Sequence, residues 1–109
     1  MTATDAVLLC YCTCPNAESA RHLAEALVRE RLAACVNRIP AIQSTYRWKG
    51  EVTTDTEELL LIKTTAAYFE ALKERVLALH PYELPELVAV PVERGHAAYL
   101  NWVRTGGGD

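Results

Sequence analysis

A chain of 109 residues fits one domain and leaves no room for a second. Half of its residues are hydrophobic and 23% are charged, which excludes the disordered class. The net charge is −3, with Lys and Arg scattered among the acids, so no basic patch exists for phosphates and no nucleic-acid role is expected.

The first five residues carry an acid and no cationic segment, so they do not read as a secretory signal. Residues 6–13 (AVLLCYCT) form an apolar, β-prone run stopped by Pro15, the pattern of a strand buried on both faces. Asn16 is placed to cap a helix from Ala17 to about Ala33, with Ala20, Leu23, Leu27 and Val28 inward. His22 falls on its charged, solvated face. A long β-rich stretch follows, from Ala34 to Trp48 and from Glu51 to Thr65. Gly50 supplies the positive φ of a hairpin turn, and Pro40 marks a bulge or an edge. Thr65 is placed to cap a second helix, Ala66 to about Leu79, with Phe69, Leu72, Val76 and Leu79 inward; His80-Pro81 ends it. Leu87 to Val92 reads as a strand and His96 to Arg104 as a short helix, and the glycine-rich residues 105–109 read as a mobile tail. The longest apolar run, Leu84 to Val92, is broken by Pro85, Glu86 and Pro91, so no membrane span is expected.

The order β-α-β-β-α-β plus a short helix predicts a single α+β domain over 1–109. It is the ferredoxin-like plan: an antiparallel sheet with two helices on one face and a long central hairpin. The other face should then be polar at alternate positions. Instead the first strand is apolar on both sides, as is Leu59 to Ile62. Leaving those side chains in water would forgo about 1.5–3 kcal/mol each. A nine-residue helix is too small to cover them, so identical subunits are expected to pack there, with the hairpin offering free edges.

Four cysteines, Cys10, Cys12, Cys14 and Cys35, are expected as free thiols in a reducing compartment, the cytoplasm. The first three share one face of a strand. Neighbours two apart lie about 6.5–7 Å from each other, at the far limit for a disulfide. They offer soft ligands suited to Cu(I), while the plainer reading of Cys10 and Cys12 is small buried hydrophobes. His80 reads either as a cap on the helix C-terminus or as a functional group.

Several segments carry a resemblance. Arg31-Leu-Ala-Ala-Cys-Val-Asn37, Ser44-x-Tyr46-x-Trp48-x-Gly50, Leu60-Leu-Ile-Lys-Thr64, His80-Pro-Tyr-x-x-Pro-Glu86 and Tyr99-Leu-x-Trp102 occur in order. Together they resemble the CutA divalent-cation-tolerance proteins over about residues 7 to 104. The resemblance implies a ferredoxin-like homotrimer with intersubunit strand pairing, a response to copper or other divalent metal ions rather than an enzymatic activity, and kinship with the trimeric PII signalling proteins. Copper positions described for the family fall here on Cys12 and on the pair Leu79-His80, so Cys12 and His80 are the expected metal ligands, and Leu79 is a departure that removes one.

A second constellation joins Lys63, Tyr82 and Glu86 with Tyr46 and Trp48 of the hairpin, mixed polar and aromatic groups suited to a ligand cleft between subunits. The plainer readings are interface anchoring for Tyr46 and Trp48 and a Lys63–Glu86 ion pair. The alternative function is therefore PII-like sensing of a small molecule, although no glycine-rich phosphate loop is present. A Cys–His nucleophile, Cys12 or Cys14 with His80, lacks an orienting Asn or Asp in the pattern, so no enzyme is expected.

Overall fold

The computed structural model describes residues 5–108; most of the N-terminal segment read above for a signal, and Asp109, lie outside the described residues. The elements run β1 (Val7–Cys14), α1 (Ala17–Arg29), β2 (Cys35–Trp48), β3 (Glu51–Thr65), α2 (Ala66–Leu79), β4 (Val88–Pro91) and α3 (Ala97–Arg104). The strands form one antiparallel sheet in the order β2-β3-β1-β4. This is the ferredoxin-like arrangement, with the two most apolar strands in the middle.

Strand alternation decides where the core lies. The even positions of β1 face the helices: Cys10, Cys12 and Cys14 are fully buried with Leu60 and Ile62 of β3, against Leu23 and Leu27 of α1 and Leu72 and Val76 of α2. In α1 the Asn16 side chain accepts the Ser19 N–H at 2.8 Å, the expected cap. The helix stops four residues before Ala33. Arg31 adopts φ 59°, its N–H donates to Val28 O at 3.0 Å, and the Leu32 N–H donates to Leu27 O at 2.9 Å. That is a Schellman closure with arginine where glycine is usual. Val28, expected inward, is 41% exposed, because one helical step turns it roughly 100° from Leu27.

The β2–β3 hairpin turns at Lys49 and Gly50, with φ of 50° and 85°, the primed geometry that matches strand twist. Pro40 sits in a bulge, where the register shifts between Ile39 and Ile42 and Ala41 takes φ 62°. β1 stops pairing at Cys14↔Glu58, so the hairpin beyond that point is a bare two-stranded ribbon, and the molecule extends to 45 Å. Thr65 stands at the N-cap of α2 without a side-chain bond, and the Ala66 N–H is taken by Ala6 O at 2.9 Å.

α3 lies on the sheet face opposite α1 and α2, where Val103 packs with Val7 and Ala34. It covers only one end. Leu9, Tyr11, Leu59 and Leu61 stay half-buried, and Ile39, Val88 and Val90 are 40%, 53% and 45% exposed. The glycine-rich tail, expected to be mobile, is tied down through Gly108. The Gly106 N–H donates to Val103 O, the Gly107 N–H to Trp102 O, and Arg31 Nη1 to Gly108 O at 2.8 Å.

Candidate functional site

β1 delivers Cys12 and Cys14 to the base of the helix layer, and the end of α2 delivers His80 beside them. The helix ends at His80, whose backbone turns to the extended region (φ −73°, ψ 137°) ahead of Pro81. Its side chain does not cap helix carbonyls. Nε2 lies 2.7 Å from Thr13 O, and the Tyr82 N–H donates to Nδ1 at 3.1 Å. A carbonyl only accepts and a backbone N–H only donates, so the two contacts together call for the tautomer with its proton on Nε2. The ring thereby ties the residue between the two cysteines to the loop after α2.

Ligand atoms of Cys12, Cys14 and His80 all lie within 4.8 Å of one another, and the three residues are buried. Donors about 2.0–2.3 Å from one ion stand about 3.5–4.6 Å apart, so a small convergence would close a two-sulfur, one-nitrogen site. Cys12 and Cys14 are not equivalent. The Cys12 thiol hydrogen-bonds the Cys14 sulfur and so lowers the Cys14 pKa below the ordinary thiol value, while burial and Glu58 oppose this. Cys12 is pushed far up by holding that bond and by burial. Of the two, Cys14 therefore gives up its proton more readily than Cys12, and a bound cation would displace thiol protons as it took the sulfurs. Cys10 is left out: burial raises its thiol to about 11, and it packs as a small hydrophobe.

Next to this cluster a cleft of about 680 Å³ opens between the ribbon and the loop after α2. Tyr46, Trp48, Tyr82 and Glu86, named from the sequence, all line it, together with Glu57 and Arg47. The Tyr82 hydroxyl donates to Glu57 Oε2 at 2.6 Å, and Thr13 Oγ1 reaches Glu86 Oε1 at 3.5 Å. Burial, and then the bond to Glu57, push the Tyr82 phenol upward. The Tyr46 hydroxyl donates to Asp55. Lys63 is not brought here: it lies on β3 opposite Cys35, and its ammonium bonds Asn37 Oδ1. The Lys63–Glu86 ion pair does not form, because β-pairing carries Lys63 towards β2 while Glu86 is held at Thr13.

Two groups were missing from the sequence-based site. Cys14 was visible as a same-face neighbour of Cys12 but was not included in the metal set. Glu57 is placed by alternation opposite its neighbour Glu58, with no motif to single it out.

A family model for the CutA1 divalent ion tolerance protein matches residues 8–106. The chain belongs to this family. Among CutA relatives, the divalent-cation tolerance protein CutA of Thermus thermophilus is 59% identical over 92 residues, covering 84% of this chain and 89% of that one. Protein CutA of Mus musculus is 50% identical over 93 residues, and there the chain spans only 52% of the relative's length. The CutA1 crystal structure from Oryza sativa superposes with a TM-score of 0.91 at 44% identity, over 96% of both chains.

Proposed function

We propose that the chain serves divalent-cation tolerance by holding a thiophilic metal ion, copper foremost, at Cys12, Cys14 and His80. The observation that carries this reading is the convergence of three buried soft or borderline donors within 4.8 Å. Cys14 offsets the departure at Leu79 by supplying a third ligand. The two sulfurs would hold the ion and the imidazole would complete its shell. Glu57, Glu58 and Glu86 lie close enough to the thiols to act on their charge and would favour a cation's approach.

The working form in this reading is the homotrimer that the family resemblance implies, and an apolar second face larger than α3 shelters supports self-assembly. Four free thiols support a reducing, cytoplasmic setting, and no helix among the described residues is long and apolar enough to cross a membrane.

Competition against a chromophoric Cu(I) chelator tests the site. Cys12→Ser and Cys14→Ser should each weaken binding at least about tenfold, and Cys35→Ser should leave it unchanged. A Cys12→Ser/Cys14→Ser double variant that holds copper as tightly as the parent would end the proposal. A second reading, sensing of a small molecule, is favoured by one observation of its own: a cleft of about 680 Å³ with aromatic walls and convergent polar groups.

A further inference from the structure

Glu57 and Glu58 are adjacent and almost equally hidden, 7% and 5% exposed, yet only one is neutralised. Glu58 faces the helices and receives Arg38 Nη1 at 3.0 Å. Glu57 points to the other side of β3. Among the described residues no cationic side chain forms an ion pair with it, and one phenol hydroxyl, that of Tyr82, is its only hydrogen-bond partner. A carboxylate withdrawn from water is expensive to leave unpaired. Glu57 lines the cleft, so a charge placed there can reach it.

The walls around that carboxylate are aromatic rather than metal-like. Tyr46 and Trp48 are about 40% exposed and face the cleft, and the Trp48 ring already draws the Lys49 ammonium to 5.8 Å from its centroid. Glu83 and Glu86 add negative charge on the loop side against the single base Arg47. Among the described residues these carboxylates do not converge with other ligands as Cys12, Cys14 and His80 do, which disfavours an inorganic ion there.

We propose that the cleft binds a small organic cation, an ammonium or guanidinium group on an apolar or aromatic body, with Glu57 as counter-ion and Trp48 and Tyr46 as its walls. The proposal rests on the small-molecule reading of the cleft and names the ligand class for it; it does not depend on metal at the thiols.

Three probes of one shape and different charge test it on the chelator-treated full chain by calorimetry: benzylammonium, benzyl alcohol and benzoate. Benzylammonium should bind about tenfold or more tighter than benzyl alcohol, and benzoate weakest. Glu57→Gln keeps an acceptor for Tyr82, and should erase the preference for the cation while leaving benzyl alcohol unaffected. Trp48→Leu, at a partly exposed position, should weaken both the cation and the alcohol, and it keeps the test decisive should Glu57→Gln fail to fold. Equal binding of the three probes, or an unchanged preference in Glu57→Gln, overturns the cation assignment alone. Binding of none of them overturns both it and the small-molecule reading.

Discussion

Cys10, Cys12 and Cys14 project from the same side of β1 into three different electrostatic settings. Cys10 lies within the hydrophobic core, where burial pushes its thiol up to about 11 from an ordinary 9.0. The folded state thus binds a proton that the unfolded chain releases. Stability from this group is complete below pH 9 and is lost as pH climbs from 9 towards 11, on the order of 2–3 kcal/mol in all. Urea unfolding from pH 8.5 to 11 should show that decline, and Cys10→Ala should make it shallower, with Cys12 and the raised phenols supplying the remainder. The alternation that puts these thiols on one face is legible from Leu8-Leu-Cys-Tyr-Cys-Thr-Cys14 alone. Their partner was half legible. His80 stood out by type, but its contact with Thr13 spans 67 positions and depends on how far α2 runs before Pro81. Glu57 was illegible: beside Glu58 it is one of two identical letters, alternation sends the two to opposite faces, and only the register of β3 against Cys14 decides which of them faces the helices.

At the scale of elements, most starts were legible and one stop was not. Asn16, Gly50 and Pro40 each act through a local physical effect, and each stands where that effect predicts. The end of α1 has no such sign, because an arginine occupies the left-handed position that closes it. Left-handed backbone costs about 1–2 kcal/mol for a residue bearing a Cβ. Arg31→Gly should therefore raise the thermal midpoint by a few degrees, corresponding to about 0.5–1 kcal/mol after the extra chain entropy of glycine. The same substitution removes the bond from Arg31 to Gly108, so amide exchange at residues 106–108 should accelerate even as the helix gains. The ordered tail escaped sequence reasoning for this reason: three consecutive glycines read as freedom, and the restraint comes from a side chain 77 positions away.

For the whole molecule, the informative surface is the sheet face away from α1 and α2. Its apolar character was readable from the alternation of β1 and β3, and α3 leaves Val88, Val90 and Ile39 substantially in water. Val90→Glu places a charge where a lone subunit tolerates one, so monomer folding should survive, while an assembly sealed by that face should dissociate. Sedimentation velocity should show a trimer for the parent and a smaller species for the variant; an unaltered sedimentation coefficient would count against this face as the contact. One imidazole has a wider reach than its size suggests. Both nitrogens of His80 are already engaged, one holding the strand segment between the thiols and the other holding the loop that positions Tyr82 beside Glu57. An ion that recruits either nitrogen must sever one of those ties. An ion that did so would loosen the aromatic cleft next door, and by reciprocity a guest in the cleft would raise the threshold for that ion. The protein would then answer to the ratio of two solutes rather than to either one alone.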